Sequence, residues 1–360
     1  MKPMNRFRKP AFLATLLAVA SITGVLLRAG RVRASAAQPQ DAKQDANRDD
    51  WSKPATPAAK ATAASAKRAA TPVAAHSPSK TASKAANKVA ALRGIKILPE
   101  KIALEGPRAG QRLVVEAVFD DNHLEDVTAQ AQVTSSNPKV AALDQGFVKP
   151  AADGAASLSA TYQRQSAKAD VEVKDFTAPF VWSFRNHVLP VMTKVGCNSG
   201  PCHGAAAGKN GFKLTLRGYD PEVDYYTLTR QSLARRTERI EPAKSLILLK
   251  PTLTIAHGGG RRFPVGSPEY QVLSGWIAAG MPPPRDDDPR IQDLEVLPHE
   301  ASLRTGSEQQ LLVRATFSDG HTEDVTRWAK YTSGDMGVAS VDDSGHVKMS
   351  GYGEAPISVW

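Results

Sequence analysis

The alternation of apolar and polar residues that marks a half-buried strand occurs twice in this chain, at a constant offset of 198 residues. Residues 112–128 read RLVVEAVFDDNHLEDVT, and residues 310–326 read QLLVRATFSDGHTEDVT. Every second position is apolar: Leu113, Val115, Ala117 and Phe119 in the first copy, Leu311, Val313, Ala315 and Phe317 in the second. Period two puts those side chains on one face of a strand. Asp121-Asn122 and Asp319-Gly320 then supply hairpin turns, because Asn and Gly best tolerate positive φ, and a second strand begins near Glu125 and Glu323. The pattern recurs at 140–143 and 338–341, with Gly146 and Gly345 as turns. Short strands at such intervals predict an all-β sandwich over 93–175 and again over 291–360. The first copy continues into a further strand near 169–173. The second, in which Trp360 aligns with Thr161, stops short of it. A sheet edge left open is a liability in water, which points either to a fragment of a longer protein or to a partner strand that completes the sheet.

Between the repeats, 176–290, the spacing turns helical. Phe180, Val181, Phe184, Val188 and Leu189 fall on one helical face, and Pro190 should kink that helix or begin a second short one. Asp220-Pro221-Glu222 and Ser267-Pro268-Glu269 are helix starts, each a cap residue followed by Pro at the first helical position. The second start leads to Val272, Leu273, Trp276 and Ile277 on one face and ends at Gly280. The fold class expected is therefore multidomain: two β-sandwiches flanking a mainly α domain.

Composition changes the picture at the N-terminus. Residues 1–36 have a positive start (Lys2, Arg6, Arg8, Lys9), an uncharged apolar run from Ala11 to Leu27 and small residues at 34–36, the pattern of an export signal or an uncleaved membrane anchor. Residues 37–92 are Ala, Lys, Pro, Thr and Ser with few large apolar side chains, which predicts a disordered tether. The formal charge of +10 is misleading, because residues 1–90 hold 16 Lys and Arg against 4 Asp and Glu, leaving the rest at −2. A folded part that is nearly neutral carries no nucleic-acid footprint.

Candidate chemistry is concentrated at 196–204, Gly-Cys-Asn-Ser-Gly-Pro-Cys-His-Gly, which holds the only two cysteines, Cys197 and Cys202, followed at once by His203. Two thiols closed by Cys-His are what covalent haem attachment requires, the imidazole ligating the iron. Four residues separate the cysteines where two are usual, and Gly200-Pro201 allows the excess to bulge as a tight turn. Two other readings of the same residues are a disulfide closing a small loop, and zinc held by Cys-Cys-His and a further His. Arg261 and Arg262 are candidates for haem propionates or for simple solvation; Phe212, Leu214 and Leu216 suit a haem wall or an ordinary core; Tyr219, Tyr225 and Trp276 suit packing, and His187 a surface or capping role. No nucleophile–base constellation, phosphate loop or paired-His zinc helix is present, so the chain reads as an electron carrier or binding module rather than an enzyme.

The paired strand, Asp-[Gly/Asn]-His and Glu-Asp-Val-Thr pattern resembles the group 2 bacterial Ig-like domains of exported and surface proteins, which implies a spacing or adhesive role with no catalytic residue. Acidic turn residues such as Asp120, Asp121, Asp319 and Glu323 then read as turn formers before calcium ligands. KVGCNSGPCHGAAAGKNGFKLTLRGYDP together with IAHGGGRRFPVGSPEYQVLSGWIAAG is similar to the cytochrome-c-like segment of large exported planctomycete-type proteins. That resemblance implies one haem c attached through Cys197 and Cys202, with His203 as proximal ligand. It puts the sixth ligand in the loop before the last helix, at His257, with Met281 just after that helix as the alternative. The expectation is an exported periplasmic or cell-surface c-type cytochrome, transferring single electrons to an unidentified redox partner and touching a membrane only through an uncleaved N-terminus. Its rival is a haem-free adhesion or scaffold protein with a Cys197–Cys202 disulfide.

Overall fold

A computed structural model of the chain describes residues 90–360. The expected signal or anchor at 1–36, and all but the last three residues of the expected tether, lie outside the described residues. Strands occupy both ends of the described chain and helices its middle. The first repeat runs β1 (Leu92–Leu98), β2 (Lys101–Glu105), β3 (Gln111–Arg112), β4 (Val114–Phe119), β5 (Leu124–Asp126), β6 (Gln132–Ser135), β7 (Ala141–Asp144), β8 (Phe147–Pro150), β9 (Gly154–Tyr162) and β10 (Gln165–Lys174). These strands form three small sheets, β1-β4-β5, β3-β8-β7 and β2-β10-β9-β6. Ile97, Leu104, Val115, Leu158 and Val171 meet between them as a buried core. The hairpin turns have the backbone expected of them, with φ of +65° at Asn122 and +92° at Gly320.

The second repeat follows the same plan with β11 (Ile291–Leu297), β12 (Glu308–Gln310), β13 (Leu312–Phe317), β14 (Thr322–Asp324), β15 (Tyr331–Ser333), β16 (Ala339–Val341), β17 (His346–Met349) and β18 (Ile357–Val359). Its sheets are β11-β13-β14, β12-β17-β16 and the two-stranded β15-β18. β18 pairs with β15 alone, whereas its counterpart β9 lies between β6 and β10. Ile357 is accordingly half-buried where the equivalent Leu158 is fully buried.

The two repeats pack directly on each other. Asp126 Oδ2 accepts the backbone N–H of Gln310 at 3.0 Å, and Asp324 Oδ2 accepts that of Arg112 at 2.7 Å. Both contacts join the same two positions with the repeats exchanged, so the interface is self-complementary, like that of a two-fold dimer. At its centre Leu98 and Val114 meet Leu297 and Leu312, again equivalent residues. This is why β4 departs from simple alternation: Val114 and Glu116, on the face opposite the core, are 1% and 2% exposed.

Among the described residues the α-helices lie between the repeats: α1 (Leu189–Lys194), α2 (Pro221–Thr229), α3 (Leu246–Leu249) and α4 (Pro268–Ala278). Phe180 and Val181 precede any helix. Phe184–Val188 makes one π-helical turn, and Pro190 sits in the first turn of α1, so it begins a new helix rather than kinking a long one. Asp220 and Ser267 cap α2 and α4 as expected, accepting from the amides of Val223 and Tyr270. Phe184, Leu228, Leu273, Trp276 and Ile277 form the core of this region. Among the described residues no helix is long and apolar enough to cross a membrane.

Candidate functional site

Helix α1 delivers the first cysteine. Gly196, at φ +78°, ends the helix in a left-handed cap in which the Gly196 N–H reaches the Thr193 carbonyl at 3.1 Å and the Cys197 N–H reaches the Met192 carbonyl at 2.8 Å. This double bond pattern fixes the direction in which the chain leaves the helix. The next residues fold back tightly: the N–H groups of Cys202 and Gly204 both donate to the Ser199 carbonyl at 3.0 Å, and that of His203 donates to the Cys197 carbonyl at 3.0 Å. The four residues between the cysteines are thus absorbed in a compact turn. Gly204 is required there, because a Cβ would lie 2.2 Å from the Asn198 carbonyl oxygen.

Cys197, Cys202, His203 and His257 all line one cavity of about 630 Å³, within the ~300–1,000 Å³ usual for ligand sites. The thiols are free, not joined to each other. Cys202 Sγ accepts from Arg262 Nη2 at 3.1 Å. Desolvation pushes the Cys197 thiol up to about 12. His203 is held below its usual range, by burial first and then by His257, Arg236 and Lys250 around it.

The two imidazoles are prepared alike. His203 Nδ1 donates to the Phe212 carbonyl at 3.0 Å, and His257 Nδ1 donates to the Gly260 carbonyl at 2.8 Å. A proton fixed on Nδ1 leaves Nε2 with its lone pair, the arrangement found behind most metal-ligating histidines. The edge of His257 also depends on glycine, since a Cβ at Gly259 would lie 3.0 Å from its Nε2. These residues fit a c-type haem: two thiols, two imidazoles whose Nδ1 atoms are bonded to carbonyls and whose Nε2 atoms are left to ligate, and a cavity of suitable volume. Among the described residues no three His, Cys, Asp or Glu side chains gather as a ready-made ion cluster. The acidic turn residues offer no such cluster either; Asp121 and Asp319 instead bond to His123 and His321.

Met281 does not join the cavity. It follows Gly280, which ends α4 in the same kind of cap that ends α1; its side chain packs on the helical core and its carbonyl accepts from Tyr225 Oη at 3.0 Å. Met192, unmarked in the sequence, lines the cavity instead. The three residues Phe212, Leu214 and Leu216 divide: Phe212 lies on the cavity with its ring 4.2 Å from that of His203, Leu214 is buried in the core, and Leu216 is exposed. The segment after Leu214 is held by the buried Asp224, which accepts both the amide and the hydroxyl of Thr215, at 2.6 and 2.7 Å. Tyr219 is 89% exposed and packs nothing, whereas Tyr225 and Trp276 belong to the core. His187 does cap: its Nδ1 accepts the Ser183 amide at 2.8 Å. Sequence reasoning passed over Lys209, Arg235, Arg236 and Lys250, which line the cavity beside Arg262; the Arg235-Arg236 pair was the available signal.

The sequence matches no protein-family model and no curated protein. Among solved structures it is similar to the S-layer protein rSbsC(31-844), at 10% identity and a TM-score of 0.21, over 76% of this chain and 26% of that one. It is also similar to domains 5-6 of S-layer protein SbsC, at 10% identity and a TM-score of 0.26, over 75% of this chain and 91% of that one. The chain spans about a quarter of the length of the first of these, and a likeness this slight carries neither fold nor function across.

Proposed function

We propose that this chain is an exported, cell-envelope c-type cytochrome-like protein, in which a cytochrome-c-like helical domain with one haem c sits between two Ig-like sandwiches and passes single electrons to a redox partner protein. The observation that carries the reading is the convergence on one cavity of both cysteines and of two histidines whose Nδ1 atoms are each committed to a backbone carbonyl. Cys197 and Cys202 would hold the haem by thioethers, and His203 and His257 would supply imidazole nitrogen to its iron. Haem c bound there would supply a one-electron couple, and ligation by two imidazoles would set its potential below that of a His/Met pair.

The chain's own contribution is orientation. Gly196 and the turn closed on Ser199 set the two thiols; the Phe212 and Gly260 carbonyls fix the two ring tautomers; burial keeps His203 neutral and able to ligate. The resemblance to planctomycete-type exported proteins supports the same assignment, and the N-terminal export pattern places attachment outside the cytoplasm. The test is to make the protein in a host with haem-attachment machinery and denature it. A Soret band and a one-haem mass increment that survive denaturation support the reading. A colourless protein two protons lighter would instead be the disulfide-bonded scaffold.

A further inference from the structure

The cavity has a property that the axial histidines do not use. Five basic side chains line it, Lys209, Arg235, Arg236, Lys250 and Arg262, and no carboxylate does. None of the five is ion-paired with Asp or Glu among the described residues. Within residues 91–360 the excess is local: residues 176–290 hold 15 Lys and Arg against 9 Asp and Glu, while 91–175 and 291–360 are each net acidic.

Three of the five make one wall. Lys209 closes a short bridge with Phe212. Arg236 is 7% exposed and crosses to that bridge, donating from Nη2 to the Gly211 carbonyl at 3.0 Å and lying 4.6 Å over the Phe212 ring. Its Nη1 donates to the carbonyls of Thr227 and Gln231, and Arg235 stands next to it at the surface. These three carbonyls occupy part of the guanidinium's five N–H groups without cancelling its charge, and a buried cation is costly until an opposite charge meets it. Lys250 donates to the Ala256 carbonyl, and Arg262 to Cys202 Sγ in the same cavity.

We propose that Lys209, Arg235 and Arg236 form a receiving wall for a dianionic edge of the cavity's ligand, whose apolar body lies against Phe212, Ile247 and Leu273. The identity of that edge as the two carboxylates of a porphyrin rests on the haem reading; the preference for a paired anion stands on the cavity itself.

The test uses Cys197→Ala/Cys202→Ala protein, in which nothing attaches covalently, and three probes: haemin, haemin dimethyl ester and inorganic pyrophosphate. Haemin should bind at least about tenfold more tightly than its ester, and more weakly as salt is raised. Lys209→Gln/Arg235→Gln should bring haemin down to the level of the ester and leave the ester unchanged. Both residues are exposed, so this variant folds even if Arg236→Met does not. Equal binding of haemin and ester overturns the proposal. If neither porphyrin binds while pyrophosphate still raises the melting temperature through Lys209 and Arg235, the haem reading fails and the anion wall stands. If pyrophosphate has no effect either, the wall falls as well.

Discussion

Asp126 in the first repeat accepts the backbone N–H of Gln310 in the second at 3.0 Å, across 184 residues of intervening chain. Its equivalent, Asp324, returns the contact to Arg112. Hydrogen bonds to a charged acceptor are worth about 1.5–3 kcal/mol. Asp126→Ala and Asp324→Ala should each destabilise the described unit by at least that amount, since Asp126 also accepts from Thr128 and Asp324 from Thr326 and Gln111 Nε2. Denaturant melts of both single variants and the double check this; no loss in either would mean that the apolar centre around Leu312 holds the repeats by itself.

Glu116 makes that interface pH-dependent. Burial, outweighing Lys96 and helped by Asp126, pushes its carboxyl up to about 7, and its Oε1 has no hydrogen-bond partner. The folded state holds this proton where the unfolded chain, near 4.5, has lost it, so stability falls as pH rises from about 4.5 to 7. Glu116→Gln should remove that slope and raise stability at pH 7.5 by up to ~3 kcal/mol, read by chemical denaturation at pH 5 and 7.5.

The second repeat contributes a slope at higher pH. His321 stacks on Phe317 with centroids 4.3 Å apart, and its ring nitrogens face Glu323 and Asp319. Glu323 first, and then Asp319, raise the imidazole to about 9 against the opposing effect of burial. Its stabilisation is complete below pH 6.5 and is lost as pH passes through about 9. Solvent screening holds it to about 1–2 kcal/mol. In His321→Gln the melting temperature should no longer respond between pH 6.5 and 9.5.

Ligation separates the two candidates for the sixth position. His257→Ala should convert a six-coordinate haem to a five-coordinate one, visible in the absorption spectrum, while Met281→Ala should leave the ligation unchanged and act only on stability. The reverse pattern would place the thioether on the iron. Gly259→Ala should resemble a mild His257 variant, because the added methyl meets the imidazole edge.

Gly204→Ala probes the turn between the cysteines. A Cβ 2.2 Å from the Asn198 carbonyl cannot be accommodated without moving the backbone that sets both thiols. The expected outcome is a loss above ~2 kcal/mol together with a lower yield of haem attachment.

Much of this was legible because local rules acted alone. The hairpin turns at Asn122 and Gly320, the caps at Asp220 and Ser267 and the helix end at Gly280 depend on residues a few positions away, and each stands where the sequence put it. What was hidden depends on distant partners. Val114 and Glu116 read as solvent-facing because nothing in β4 records that a second repeat will cover them. Met281 stands beside a helix end in the sequence, but the cap that turns the chain at Gly280 leaves its side chain on the helical core. The cavity's basic wall draws on 209 and 235–236, segments whose approach depends on Arg236 reaching the Gly211 carbonyl.

The self-complementary packing of the repeats also fixes how the molecule carries load. The helical region leaves the first sandwich and returns to the second, and the two sandwiches already touch, so a pull applied between Leu92 and Trp360 runs through their shared seam. A force that separates the two sandwiches meets these contacts in parallel with the path through the helical region, so the cysteine turn bears only part of it.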